Sequence, residues 1–510
     1  MIYNIYDFLE KTTSRCPQKI AVISGDAELT YQEIREKSLE LAYILKKYKI
    51  KKNDRIGICL DKSPEEIIAI FSIAKADAIF VCLNIKLKSD QIVHIINNCG
   101  IKAIITNKKM FGLLLKKIIC NTSVKFLFFL DDKIYRAKKI ETPENISGNS
   151  HKLKDIACII YTSGSTGKSK GVIIPNKNLI EGADIVSQYL HCRHDDKVLS
   201  LLPFSFDYGL NQLMTTFRNG ATIVLHNFVF PEDVLRTIGK KQITAVAGIP
   251  TIWISIINSP SIKRHDLSSL RYITNSGGKI PVEYVYRMLD IFKSTRIYLM
   301  YGLTEAFRST YLPPYLVSKK PDSIGKAIPR VKISVLNKDG IECKSEEPGD
   351  LVHRGALISM GYWNDKKASN DIIRKLPDGV KDRKRGEKGV FSGDLVKKDK
   401  DGFLYFLGRK DEMIKSSGYR ISPTEIEEVL YQIDGVTGSV VFGRENSKLG
   451  QQIVAVLSCK YAINKDSIID YSMKHLPDYA VPHEVIFLDN MPQTSSGKID
   501  RSLVKEKYGN

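Results

Sequence analysis

An apolar run, Ala157–Ile160, leads without interruption into Tyr161-Thr-Ser-Gly-Ser-Thr-Gly-Lys-Ser-Lys-Gly-Val172, and the chain leaves through a second apolar run, Val172–Ile174. A loop of Gly, Ser, Thr and Lys between two buried strands is not a flexible linker, which seldom joins two buried runs. Glycines let backbone N–H groups turn toward an anion, the hydroxyls add donors, and Lys170 adds a compact charge. That combination suits a polyphosphate. A Walker loop would place its first glycine five residues before Gly167, where this chain has Thr162.

The rest of the chain sets this loop in an α/β frame. Arg55–Leu60 reads as a strand, Glu65–Ala74 as a helix, Ala78–Leu83 as a strand, Gln91–Asn97 as a helix and Ala103–Thr106 as a strand. The same rhythm returns at Lys197–Leu202, Ala221–Leu225 and Thr244–Ala247. Such alternation predicts layered α/β structure with largely parallel sheets. Met1–Ile20 reads as an amphipathic helix, and the charge-crowded Asn364–Lys388, broken by Pro377 and Gly379, as an exposed loop. After Gly408 the pattern changes. Pro423–Ile433 is an amphipathic helix with Ser422 as N-cap and Glu425 three residues on; Val436–Phe442 and Ile453–Cys459 read as strands and Lys465–Lys474 as a helix. The expectation is a large N-terminal domain of layered α/β sheets over 1–410 and a small α+β domain over 411–510.

At 510 residues the chain is long enough for two or more domains. The charge of +20, from 77 Lys+Arg against 57 Asp+Glu, is scattered in Lys-Lys pairs rather than gathered in a stripe. It therefore argues against nucleic-acid recognition. Nine cysteines show no CxxC spacing and no Cys/His cluster for zinc, as in a reduced cytoplasmic protein. Apolar runs are strand-sized and the start lacks a signal-peptide pattern, so no membrane association is expected.

The glycine-rich loop resembles the phosphate-binding signature of the adenylate-forming superfamily: acyl-CoA synthetases, nonribosomal-peptide adenylation domains and firefly luciferase. Further motifs of that family follow in order over essentially the whole chain. Tyr301-Gly-Leu-Thr-Glu305 resembles its Tyr-Gly-x-Thr-Glu, and Ser276-Gly-Gly278 its adenine-side segment. Ser392-Gly-Asp394 resembles its Thr-Gly-Asp, Gly408-Arg-Lys-Asp411 its hinge, Ile414–Arg420 its thiol-tunnel loop, and Pro492–Arg501 its C-terminal lysine motif. The resemblance implies ATP and Mg²⁺ as cofactors. Thr162, Ser163, Gly164, Ser165, Thr166, Gly167 and Lys170 would hold phosphate, and Gly277, Gly278, Tyr301 and Gly302 the adenine side. Thr304 would contact the α-phosphate, Glu305 would ligate Mg²⁺, Asp394 would accept from both ribose hydroxyls, and Arg409 would bind ribose or phosphate. Lys498 would bridge the substrate carboxylate and the α-phosphate. Asp411 would be the pivot, and Gly418 would line the thiol tunnel.

The same resemblance places the substrate pocket at Asp207, Tyr208, Asn211, Met300, Arg308 and Ser309. Many acyl- and aryl-CoA ligases have a His where this chain has Phe206, whereas peptide-synthetase domains carry Phe-Asp, the Asp holding an α-ammonium. Phe206-Asp207 fits the second pattern, because a buried aspartate requires a cationic partner. The favoured expectation is a small, proline-like amino acid loaded on a separate carrier protein. Arg308 is a rival partner for Asp207, and a non-amino carboxylate passed to free CoA is the alternative. Phe206–Leu213 with Ala306–Thr310 is similar both to prolyl-carrier-protein ligases and to acyl-CoA ligases associated with exosortase systems. Near Ala76–Cys82 the family's Gly-Gly and Pro are missing, which bears on packing. An intact Lys170, Glu305, Asp394 and Lys498 argue against a dead enzyme, and no Ser-His-Asp or Cys-His set is present or required. No carrier segment follows Lys498, so the acceptor is expected to be CoA or a separate phosphopantetheine protein. The basic surface favours an acidic carrier.

Overall fold

The computed structural model describes residues 2–131, 134–139, 155–162, 169–416, 419–446 and 449–509. A seven-stranded sheet carries both ends of the glycine-rich segment. Arg55–Cys59, Ile79–Cys82, Ala103–Thr106, Phe126–Asp131 and Ile156–Thr162 run parallel where they pair, and Lys170–Pro175 closes one edge antiparallel to Ile156–Thr162. In that last pair Thr162 lies opposite Lys170, so the ends of the glycine-rich loop are clamped as a hairpin.

A fourteen-stranded sheet changes character along its width. Ile20–Ser24, Thr222–Leu225, Lys197–Ser200, Ala245–Gly248, Tyr272–Asn275 and Arg296–Leu303 are neighbours in that order, all parallel. Beyond Arg296–Leu303 the sheet continues antiparallel through Ala306–Leu312, Ser323–Ala327, Leu404–Arg409, Lys388–Lys398, Gly349–Gly355 and Val331–Leu336. The reversal falls at Thr304 and Glu305, between the last parallel strand and the first antiparallel one. The largely parallel arrangement expected from sequence therefore holds only for the first half. Hairpin strands with short turns need no crossover helix, and 306–409 contains just one short α-helix, Lys366–Ile372, and one 3₁₀ turn, Pro314–Leu316.

Two helices lie in the core between these sheets. Pro64–Lys75 is buried from Glu66 to Ala74 and Asp207–Arg218 from Asp207 to Phe217, with Phe71 and Phe217 ring centres 4.8 Å apart. One continuous apolar cluster joins both sheets through them. The last residues form a separate five-stranded sheet of Ile414–Ser416, Tyr419–Ile421, Val436–Asn446, Gly450–Cys459 and Glu484–Leu488 with its own core, covered by Pro423–Leu430 and Lys465–His475.

Local departures from the sequence expectations have physical causes. The N-terminal helix spans only Tyr6–Arg15; Pro17 stops it and Ile20–Ser24 is a strand. The stretch expected to be a loop at 364–388 contains Lys366–Ile372, capped by Asp365 accepting from the Ala368 N–H at 2.8 Å, and the strand Ile373–Lys375. The helix at Pro423 ends at Leu430, and Ser422 does not cap it. Its hydroxyl instead donates to the Leu407 carbonyl, tying the small domain to the strand Leu404–Arg409 of the large sheet. Where the family has glycines, Asp77 adopts φ 58°, a left-handed turn that a short polar side chain tolerates.

Candidate active site

The residues expected at the nucleotide lie where the large sheet turns from parallel to antiparallel. Tyr301 lies near the end of Arg296–Leu303 and its hydroxyl donates to Asp394 on Lys388–Lys398. Asp394 is also 3.5 Å from the Arg409 guanidinium, and its backbone N–H donates to the Ser392 hydroxyl at 3.2 Å. Burial pushes the Asp394 carboxyl above its ordinary value; the Tyr301 hydrogen bond and Arg409 oppose that. Arg409 reaches on to Asp411 at 3.2 Å, and Asp411 is exposed. Glu305 accepts from the Tyr362 hydroxyl at 2.7 Å, and Lys170 Nζ lies 5.4 Å from the centre of the Tyr362 ring. Tyr362 thus ties the phosphate hairpin to the Thr304–Glu305 turn. Burial raises the Glu305 carboxyl, with Tyr362 opposing. Thr304 is buried beside it. Ser163, Gly164, Ser165, Thr166, Gly167 and Gly418 lie outside the described residues.

Lys498 comes into the same space from the C-terminal sheet's side. Its ammonium lies 4.8 Å from the Phe206 ring centre, and burial pushes it below its ordinary value, with Asp207 opposing. The loop that carries it is held by Thr251, whose hydroxyl donates to the Gly497 carbonyl at 2.7 Å, and by Asn84, whose amide donates to the Ser495 carbonyl at 3.1 Å. Gly277, at φ +80°, is required where it stands. A Cβ there would lie 3.0 Å from Lys498 Cε and 3.3 Å from Phe206, closing the lysine's approach. Gly278 lies against Pro250 in the same way, and Gly302 against the Arg308 backbone. Further contacts dock the small domain. Lys279 is 3.1 Å from Glu428, and the Tyr284 hydroxyl donates to the Val436 carbonyl at 3.1 Å.

On the acid side, Asp207 opens the helix Asp207–Arg218 and is 3.7 Å from Arg308 Nη1, both side chains being buried. Among the described residues Arg308 Nε and Nη2 have no hydrogen-bond partner, and the guanidinium lies 4.8 Å from the Tyr208 ring centre. Tyr208, Asn211 and Met300 are buried around it; Ser309 is too, but its hydroxyl donates back to the Ala306 carbonyl at 3.2 Å. Glu305 fits a magnesium ion. It is a hard, half-buried carboxylate that accepts from Tyr362, whose ring lies near Lys170, and Mg²⁺ takes one or two carboxylates with phosphate oxygens and water. Among the described residues no group of three or more metal-ligating side chains exists, so phosphate would supply much of the shell.

Thr251, Asn84, Tyr362 and the buried His353 behind Tyr301 (ring centres 5.9 Å apart, nearly parallel) are not evident in sequence. Each belongs to an ordinary-looking segment, and only the tertiary fold brings it to the site. Among the described residues no helix is long and apolar enough to cross a membrane.

Comparison with known proteins places the chain in a family. Residues 9–363 match the model of the AMP-binding enzyme family, and residues 425–498 that of the AMP-binding enzyme C-terminal domain. The chain is 26% identical over 544 residues to a long-chain-fatty-acid–CoA ligase of Bacillus subtilis, covering 99% of this chain and 95% of that protein. It is 27% identical over 510 residues to gramicidin S synthase 2 of Brevibacillus brevis, covering 98% of this chain but 11% of that much longer protein. Among solved structures, the o-succinylbenzoate CoA synthetase of Bacillus subtilis with its acyl-adenylate superposes with a TM-score of 0.80 at 25% identity, covering 98% of this chain and 97% of that one. An anthranilate CoA ligase with anthranoyl-AMP shares the fold at 0.88 and 23%, covering 99% and 97%. With both family models matched in order, the first over residues 9–363, the chain belongs to the AMP-binding enzyme family of the adenylate-forming superfamily.

Proposed function

We infer that this protein is an AMP-forming acid–thiol ligase whose acid carries no α-ammonium. The observation that carries this reading is the Asp207–Arg308 pair. A buried aspartate calls for a cationic partner, and here the protein itself supplies one at 3.7 Å. The burial argument for an amino-acid substrate is therefore answered from within the chain.

Carboxylates are poor electrophiles, and adenylation supplies AMP as a leaving group. A carboxylate oxygen attacks the α-phosphorus in line and the bond to pyrophosphate breaks. Positioning and charge neutralisation dominate such a step. Lys498 stands between the acid pocket and the nucleotide side and would neutralise the carboxylate and the α-phosphate together. Thr304 donates to phosphate, while Tyr301 packs on adenine and Asp394 accepts from the ribose hydroxyls. Glu305 would hold Mg²⁺, which when bound supplies charge neutralisation for the pyrophosphate. In the second step a phosphopantetheine sulfur attacks the acyl carbon, AMP departs, and the thioester forms. Rotation of 411–510 about Asp411 would withdraw Lys498 and bring the Gly418 loop to the thiol. The thiol belongs to free CoA or to a separate carrier. For an acidic carrier the +20 charge predicts thioester rates that fall with ionic strength.

The deciding experiment is ATP–pyrophosphate exchange across proline, other small amino acids and a series of simple acyl acids. Exchange with acyl acids is expected; exchange confined to amino acids would overturn the reading. The amino-acid alternative keeps one supporting observation. At 3.7 Å the Arg308–Asp207 contact is not a hydrogen bond, which leaves the carboxylate oxygens able to accept from a substrate ammonium.

A further inference from the structure

The segment 357–363 is hydrogen-bonded to both large sheets. On one side the Phe307 N–H donates to the Leu357 carbonyl at 3.1 Å, and the Ser359 N–H to the Glu305 carbonyl at 2.8 Å. On the other it takes the outer edge of Lys170–Pro175. There the Met360 N–H donates to the Ile173 carbonyl at 3.0 Å and the Ile173 N–H to the Gly361 carbonyl at 2.9 Å. The Trp363 N–H donates to the Gly171 carbonyl at 2.7 Å, and the Tyr362 N–H to the Ser369 hydroxyl at 2.8 Å. Paired along both edges, this strap fixes where the backbone of Tyr362 stands.

From that fixed point one side chain meets two charges of opposite sign. The Tyr362 hydroxyl donates to Glu305 Oε1 at 2.7 Å, and Lys170 Nζ lies 5.4 Å from the centre of the Tyr362 ring. A short hydrogen bond to one carboxylate oxygen restrains the group and leaves the second oxygen's lone pairs for another partner. The ring face attracts the ammonium electrostatically at this range, and the ammonium keeps N–H donors for an anion. Glu305 and Lys170 do not pair with each other within 4.0 Å. An ion pair between them would spend on each other the two charges that a metal-bound phosphate needs. Both instead rest on the same phenol, one at its hydroxyl and one at its face.

The geometry points to Tyr362 as a positioning residue for the metal and phosphate of the bound nucleotide. Its hydroxyl holds the Glu305 carboxylate with one oxygen left for the metal. Its ring holds Lys170 for phosphate, and the stiff phenol keeps the two charges from neutralising one another before ligand arrives. Hydrogen-bond partners of metal ligands ordinarily change metal affinity by about 10- to 100-fold when removed. The assignment rests on the role proposed above for Glu305 with Mg²⁺ and on that expected of Lys170 with phosphate.

The test is Mn²⁺ binding to the protein with the non-cleavable α,β-methylene analogue of ATP, followed by loss of the free ion's electron paramagnetic resonance signal. Tyr362→Phe keeps the ring and removes the hydroxyl, and Mn²⁺ affinity should fall by about 10-fold. In pyrophosphate exchange by the same variant, the KM for Mg²⁺ should rise by more than kcat falls. Tyr362→Leu removes the ring as well. Its affinity for the metal-free analogue, measured by calorimetry, should lie about threefold below that of Tyr362→Phe. Glu305→Gln sets the reference for loss of the metal's carboxylate. Wild-type Mn²⁺ affinity in Tyr362→Phe, with Glu305→Gln weakened, overturns the hold on Glu305 and leaves that residue as the metal's ligand. Wild-type Mn²⁺ affinity in Glu305→Gln overturns the metal role of Glu305 and the positioning role with it, whatever Tyr362→Phe shows. Equal affinity of Tyr362→Phe and Tyr362→Leu for the metal-free analogue overturns the hold on Lys170.

Discussion

The residues proposed for the nucleotide and those proposed for the acid both face Lys498 but are finished differently. On the nucleotide side the polar groups answer one another: Tyr301 to Asp394, Asp394 to Arg409, Tyr362 to Glu305. On the acid side Arg308 Nε and Nη2, Asn211 Nδ2 and Gln212 Oε1 have no hydrogen-bond partner among the described residues. A self-satisfied network is rigid before ligand arrives and suits a constant ligand such as ATP. Open donors and acceptors are where one particular acid would be recognised, since leaving them unpaired is what rejects the wrong one.

The contrast can be broken most forcefully at Lys498, which stands between the two sides. Lys498→Ala should lower pyrophosphate exchange by about 10³-fold, yet largely spare thioester formation from supplied acyl-adenylate; normal exchange in the variant would remove Lys498 from the chemistry. Next in size is the pair on the acid side. Arg308→Met strands Asp207 and should destabilise the fold by about 3 kcal/mol, measured by denaturant unfolding. Asp207→Asn added to it should recover at least part of that loss. Equal stability of Arg308→Met and wild type would show that the pair does not carry the charge balance.

A buried group behind the nucleotide side gives the third test. His353 has no hydrogen-bond partner on either ring nitrogen among the described residues, and burial pushes it down to about 3 from an ordinary value of 6.5. The folded protein holds it neutral, whereas the unfolded chain takes up a proton below 6.5. Stability from this residue is therefore present above pH 6.5 and lost as pH falls toward 3, by up to about 1.4 kcal/mol per pH unit. His353→Phe should remove that acid-side loss in pH-resolved thermal melts; an unchanged slope would place the acid sensitivity elsewhere. The smallest effect is expected at the Lys279–Glu428 contact that docks the small domain. Lys279→Ala should shift the ratio of adenylation to thioester rates toward the second step by about fivefold at most, read by timing the two half-reactions separately.

How much is legible in one dimension follows the same division. The phosphate hairpin, the Tyr301–Glu305 turn, Asp394 and the Lys498 loop are contiguous segments whose composition is unusual enough to read locally. Tyr362, Thr251 and Asn84 act as single residues on segments with other reasons to exist, so no local pattern marks them. The antiparallel half of the large sheet is hidden because alternating apolar residues do not say which neighbour a strand will pair with. Ser422 fits a helix cap by its local pattern, and the Leu407 carbonyl competes for the same hydroxyl only once the chain has folded back.

The class of chemistry follows from sequence alone, because anion cradling, hinge and lysine loop need particular residue types at short range. The acid side does not. Whether Asp207 faces a substrate cation or Arg308 depends on residues about a hundred positions apart in sequence. Such long-range pairing is set by packing, which no local pattern records.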